Sequence, residues 1–230
     1  MLHDLAEYVP LLLRMSLVNV ALLFSLLCVG FALGTLVAVV QVYGRRLASA
    51  AAAGYAWVFR SIPSLVLLFL VYYGPPRLGL RISPFLAATL ALGLCSSGYQ
   101  SQIFRGALLA ISGGQMQAAR SLGMSRGRAI RTILLPQAFR LAIPGWSNEF
   151  SSVVKDTTLA YVVGLNEVMR ATRIINDTRY DLTMPALLLT AALFLLMTNA
   201  GNLGLGAVER RFGIPGLQMP GRGRATDLGR

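Results

Sequence analysis

Metal-ligating and nucleophilic side chains are nearly missing from this sequence, which has 1 histidine, His3, and 2 cysteines, Cys28 and Cys95. His3 lies near the N-terminus and both cysteines sit inside apolar runs, so neither a metal site nor a disulfide framework can be assembled from them. Lysine is equally scarce. The single one, Lys155, stands between Val154 and Asp156, which excludes a phosphate-binding loop, because that motif needs lysine after glycine and before serine or threonine. Nucleotide hydrolysis, if it drives the molecule, belongs to another chain. Acidic residues are few as well, 9 against 21 basic ones, and charged residues make up only 13% of the chain. An ordinary soluble domain carries about twice that share.

What is abundant is apolar side chain: 55% of 230 residues, with a mean hydropathy of +0.62. One soluble core of this size could not bury so much, so the chain is expected in a bilayer. A membrane-crossing helix needs about 20 mainly apolar residues, and five stretches qualify: 10–42, 50–73, 83–111, 133–165 and 183–208. The first is longer than one crossing needs and is expected to tilt or to begin outside the hydrocarbon. Its length, with Asp4 and Glu7 ahead of it, argues against a cleaved signal peptide. The second is interrupted at Arg60-Ser61-Ile62-Pro63. The expected fold is an all-α membrane protein, with a membrane domain over 1–212 and a Gly-, Pro- and Arg-rich cytoplasmic tail over 213–230 that cannot bury a core.

The net charge of +12 could signify nucleic acid, anionic lipid or a topology signal, and its distribution favours the last. With the N-terminus outside, the inner segments hold Arg45, Arg46, Arg60, Arg120, Arg126, Arg128, Arg131, Arg210, Arg211, Arg222, Arg224 and Arg230. The outer ones hold only Arg77, Arg81, Arg170, Arg173 and Arg179. Twelve against five places the N-terminus outside and the C-terminus inside by the positive-inside rule. The last outer segment also carries Glu167, Asp177 and Asp181, which partly balance its arginines. Four cations, Arg14, Arg105, Arg140 and Lys155, fall within apolar stretches.

The inner loop over 113–132 reads as helix, tight turn, helix. The first helix stops at Gly123, suited to a left-handed C-terminal position, and Ser125 can cap the next. A DNA-binding helix-turn-helix also favours alanines and a central glycine. Here, however, the second helix runs straight into Ile133-Leu134-Leu135-Pro136 and leaves no exposed recognition helix, so nucleic acid is not expected as a partner. A solvated basic loop that merely sets topology is the plainer alternative.

The spacing argues for more than topology. Gln117-Ala118-Ala119, three residues, Gly123, nine residues, then Ile133-Leu134-Leu135-Pro136 resembles the EAA loop of permease subunits of binding-protein-dependent ABC importers, with Gln117 where the family has Glu. Glutamine keeps the length and hydrogen bonding but loses the charge. The resemblance extends to Phe59-Arg60-Ser61-Ile62-Pro63, to Tyr99-Gln100-Ser101-Gln102-Ile103-Phe104-Arg105-Gly106, to Asn148-Glu149-Phe150 and to Lys155-Asp156-Thr157-Thr158-Leu159, segments similar to those of polar amino acid permeases. It implies a type I importer permease in the bacterial cytoplasmic (inner) membrane, without catalysis of its own. ATP and Mg would be bound by two partner ATPase subunits. A second permease subunit, identical or related, and an extracytoplasmic solute-binding protein complete the implied assembly. Gln117, Ala118, Ala119, Arg120, Leu122, Gly123, Ser125 and Arg126 would then form the coupling helix that docks on the ATPase.

The fourth stretch concentrates Pro136, Pro144, Asn148, Glu149, Ser152, Lys155, Asp156, Thr157 and Thr158. Two prolines predict a broken or bent segment, and polar groups at membrane depth are tolerated where they face protein or a water-filled cavity. The segment is therefore expected to line the solute pathway, with Lys155, Asp156 and Glu149 offering both signs of charge to an amino acid and Tyr99 contributing from the third stretch. A rival reading uses the same three ionisable residues as proton or sodium sites of an ion-coupled secondary transporter.

Overall fold

A computed structural model describes residues 6–212, so the tail expected over 213–230 lies outside the described residues. Within them every regular element is a helix, with no strand. Helix α1, Val9–Tyr43, runs for 35 residues and carries no charge between Arg14 and Arg45. It is one of two helices long and apolar enough to cross a membrane; the other, Tyr180–Phe212, is a short turn continued by the last helix. Helices α2, Arg46–Ser61, and α3, Ser64–Tyr73, occupy the second expected stretch. Ile62 is forced into an extended conformation (φ −77°, ψ 128°) before Pro63, as a residue preceding proline must be. The chain bends by 97° there, and counting the bent pair as one broken span raises the number to three.

The third and fourth stretches become α4, Pro84–Ala110, and α7, Leu135–Asp156, of 27 and 22 residues. Both are long enough to cross, yet neither is apolar enough to qualify on composition. The reason is position. Helix α4 is surrounded by α1, α2, α3 and α7, so it has little need of lipid-soluble side chains and buries Ser96, Ser97, Gln100 and Ser101 among alanines.

Small residues let α1 approach it closely. A Cβ on Gly34 would stand 3.0 Å from Gln100 Cβ and 3.1 Å from both Ser101 N and Ser97 O, so backbone meets backbone. A polar spine is stable in lipid only if it is wrapped this tightly, because its unpaired groups would find no water.

On the face expected to be inner, α5, Gly113–Ser121, and α6, Arg126–Ala129, are followed by a π turn, Ile130–Leu134, that leads into α7. The fourth stretch thus stays helical and departs from α-helical geometry only at the π turn directly before Pro136, while Pro144 sits within a helix that continues through it. Helix α7 gives way at Thr157 to a 3-10 segment, Thr157–Val163; α8, Val168–Thr178, and α9, Thr183–Phe212, complete the chain.

The α1–α4 contact yields a direct expectation. Gly34→Ala should lower stability by about 1–3 kcal/mol through overpacking, whereas Gly54→Ala, whose added Cβ meets nothing within 4 Å, should not. Thermal unfolding of the detergent-extracted protein measures both, and equal midpoints for the two variants would refute the close approach.

Candidate functional site

Helix α7 presents an exposed stripe at i, i+4 spacing: Pro136, Arg140, Pro144, Asn148, Ser152 and, three residues on, Lys155. Glu149 and Asp156 flank it, half-buried. The Glu149 carboxylate accepts a hydrogen bond from Ser96 Oγ at 2.8 Å. Ser96 Oγ in turn accepts from Gln100 Nε2 at 3.0 Å, and Gln100 Oε1 accepts from Trp146 Nε1 at 2.8 Å. The relay starts and ends on α7, passes through α4, and aims every donor towards one carboxylate. Ser96 is twelve residues into α4, about 18 Å along it, so Glu149 sits near mid-depth. A polar stripe at that level cannot face lipid. It requires another protein surface or a water-filled space.

Tyr99, on the next turn of α4, is 45% exposed and belongs to the same region. The other expected pathway residues divide. Lys155 is exposed and Thr158 half-buried, its hydroxyl donating to Lys155 O at 2.7 Å. Thr157 does not reach any surface. It is fully buried, donates to Val154 O at 2.7 Å and accepts from Asn19 Nδ2 at 3.0 Å, so it joins helices instead of lining a path.

That joint contains two residues to which the sequence reading assigned no site role. Asn19 on α1 and Glu167 ahead of α8 are both fully buried. Asn19 Nδ2 donates to Glu167 Oε2 at 3.0 Å, and Asn19 Oδ1 accepts from Val168 N at 3.0 Å. Glu167 Oε1 also accepts from Arg170 N at 2.8 Å, capping α8. Burial pushes the Glu167 carboxyl above its ordinary range, while hydrogen bonds from Asn19 and the amides of Met169 and Arg170 pull it down. Glu167 is therefore a structural clip and not a surface counter-charge to the outer arginines. Asp181 does fill that role, held by Arg179 Nε at 2.9 Å and Nη2 at 2.8 Å.

The loop expected to couple is built as its residues suggest. Gly123 has φ +79°, with Met124 N bonded to Ala119 O and Gly123 N to Arg120 O, and Ser125 Oγ caps α6 by accepting from Arg128 N at 3.3 Å. Not every member faces outward. Ala119 is buried and serves as packing between the loop and the bundle. Arg120 bonds Met124 O at 3.1 Å, and the Arg126 guanidinium lies 5.7 Å from the Tyr43 ring centroid, tying the loop to the end of α1. Gln117, Ala118, Ser121 and Leu122 remain as one open face, with Leu122 83% exposed.

Comparison with known proteins identifies the family and agrees with the fold. Residues 30–214 match the family described as binding-protein-dependent transport system inner membrane component, and the chain belongs to that family. It is 35% identical over 220 residues to the octopine transport system permease protein OccQ of Rhizobium radiobacter, covering 90% of this chain and 92% of that one. It is 28% identical to the histidine/lysine/arginine/ornithine transport system permease protein HisQ of Escherichia coli strain K12, over 88% of this chain and 93% of that one. A crystal structure of an amino acid ABC transporter with histidines superimposes with a TM-score of 0.80 at 31% identity, covering 90% of this chain and 97% of that one.

The buried clip can be probed by Asn19→Leu, which strands the Glu167 carboxylate and the Val168 amide. A loss of about 1–3 kcal/mol per stranded group is expected, seen as a lower unfolding midpoint in detergent. An unchanged midpoint would show that the clip carries no load.

Proposed function

We propose that this chain is the membrane-spanning permease subunit of an ATP-driven importer for a polar amino acid or a similar small solute. The observation that carries the reading is the exposed polar stripe of α7 at mid-depth, in a chain whose family and relatives are permeases. In this reading the stripe is covered by a second permease subunit, identical or related, and the solute passes between the two. Asn148, Glu149, Ser152, Lys155, Asp156 and Tyr99 line or gate the route, with Thr158 at its margin. The solutes named for the relatives above carry amino and carboxylate groups together, and such solutes suit a path with charges of both signs.

ATP and Mg belong to two separate ATPase subunits docked from the inside, and a solute-binding protein delivers from the outside. The N-terminus is outside and the tail inside, with five crossings when α4 and α7 are counted. The open face formed by Gln117 and Ala118 of α5 with Leu122 just beyond its end meets the ATPase. An exposed leucine at the tip of a polar loop costs little in contact with an apolar cleft and gains nothing in water. Family membership favours this over an ion-coupled secondary transporter built on Lys155, Asp156 and Glu149.

Reconstitution with the ATPase and binding protein tests the reading. Leu122→Asp and Gly123→Asp should each cut ATP-dependent uptake by about tenfold or more while the chain still inserts. Leu122→Cys, in a Cys28→Ser background, should react with impermeant thiol reagents only from the ATPase side. Uptake driven by a proton or sodium gradient without ATP would support the secondary transporter instead.

A further inference from the structure

Helices α7 and α9 meet at one level and part from it towards the C-terminal end of α9. At the meeting point a Cβ on Gly201 would run into the Phe150 ring, and Asn202 Nδ2 donates to Ser151 Oγ at 3.0 Å. Counted antiparallel from that contact, Leu205, Val208 and Phe212 fall level with Trp146, Ile143 and Phe139. All six line a wedge-shaped cavity of about 380 Å³. Its back is built of rings, with the Phe31 centroid 5.3 Å from that of Phe104 and 5.0 Å from that of Phe139.

Arg140 is the one charged side chain on the lining. A polar solute would lose its hydrogen bonds to water along such walls and gain none, so the wedge is separate from the route along the polar stripe. Its length suits a hydrocarbon chain. From Arg140 to Phe150 is ten residues, about 15 Å along α7, which is half of the ~30 Å hydrocarbon thickness and so the depth of one leaflet. Arg140 is five residues beyond Leu135, where α7 begins, about 7.5 Å from the helix end, and a long basic side chain spans that distance by snorkelling.

The mouth of the wedge is basic. In the same register Arg211 is level with Arg140, and Arg210 is its neighbour in the last turn of α9. All three are exposed. Among the described residues no carboxylate pairs with any of them, Glu209 of the same turn included. A planar guanidinium matches the oxygens of a phosphate bidentately. The segment that follows Phe212 brings Arg222, Arg224 and Arg230 against Asp227, and a second copy of the chain would bring the same excess. Like charge therefore opposes either of them as the occupant.

We propose that the wedge between α7 and the C-terminal half of α9 is a binding site for an anionic phospholipid, one acyl chain filling it and the phosphate held at its mouth by Arg140, with Arg211 at the same level. Basic pockets between membrane helices select anionic headgroups in this way. The lipid belongs to the leaflet that borders the loop over 113–132, from which α7 starts. The assignment requires only that the chain sits in a bilayer, and it is independent of the importer reading.

Trp146 lines the wedge and is one of 2 tryptophans, so Trp57→Phe leaves it as the sole reporter. The full-length Trp57→Phe chain, purified in detergent, is titrated with phosphatidylglycerol or phosphatidylcholine carrying the same brominated acyl chains, which quench indole fluorescence on contact. Phosphatidylglycerol should half-quench Trp146 at a concentration about fivefold or more below that of phosphatidylcholine. Arg140→Gln should bring the two lipids within about twofold of each other with phosphatidylcholine quenching as before, and Arg140→Lys should retain the preference. Arg46→Gln, which removes the same charge outside the wedge, should retain it too. Val208→Phe, which fills the wedge from its open side, should weaken quenching by both lipids. Equal quenching by the two lipids before Arg140 is changed, a preference that survives Arg140→Gln, or one that Arg46→Gln abolishes equally would overturn the site. Absence of quenching by either lipid would also overturn it, because protein then covers the wedge: deletion of residues 213–230 restores quenching if the tail is the cover, and fails to restore it if a second copy is.

Discussion

The close contact between α1 and α4 is the constraint on which the remaining structure depends. Helix α4 carries Ser96, Ser97, Gln100 and Ser101 fully or almost fully buried, and such groups have no water to bond with at membrane depth. They are tolerated because neighbouring helices exclude lipid and because the groups satisfy one another. Ser97 Oγ and Tyr55 Oη share a bond of 2.6 Å, Ser101 Oγ donates to Gly98 O at 2.7 Å, and Gln100 and Ser96 join the relay to Glu149. Without Gly30 and Gly34 on α1, whose added Cβ atoms would collide with Gln100, the wrapping would open and the serines would lose their enclosure. Helix α4 is thereby kept polar enough to reach across to α7 and hold a carboxylate there.

Helix α1 contributes a second restraint at its other end. The same apolar rod that packs on α4 carries Asn19, which uses both its carbonyl and its amide to pin the start of α8 and the end of α7. Replacing one partner in a buried set of this kind costs more than the set contributes while intact, because the survivors remain desolvated. The end of the bundle where α7 meets α8 is therefore held by a small polar joint and the middle by close backbone packing. The loop over 113–132 is anchored by Arg126 over the Tyr43 ring and by the buried cluster of Ala38, Phe104, Ile130 and Leu134.

How much of this was legible in the sequence depended on the range of the interaction. Gly123 in the left-handed region, the Ser125 cap and the bend at Pro63 are decided within four or five residues, and each appears where the sequence places it. The distortion expected of the fourth stretch is taken up by a π turn directly before Pro136 and not by a gap in the helix, a choice that depends on how the whole segment packs. Asn19 and Glu167 are separated by 148 residues, so no local pattern announces their bond, and an acid between two apolar stretches reads as a loop residue.

The same geometry bears on how movement would travel in the proposed transporter. From Arg126 through the π turn to Asp156 the chain is helical without a gap, so a displacement of the inner loop is handed along the helix that bears the polar stripe, with no flexible loop to absorb it. The π turn is the compliant element in that rod, since its hydrogen bonds are wider and weaker than those of the helices on either side. Pro144 supplies a second, because the Arg140 carbonyl has no amide to accept from at that point. Glu149 lies just beyond that place and is held from α4, which the loop does not move directly. Motion of α7 against a stationary α4 would therefore be felt first in the relay from Trp146 through Gln100 and Ser96 to Glu149, and a solute bound at that level would be released by breaking one layer of hydrogen bonds rather than by unfolding the wall around it.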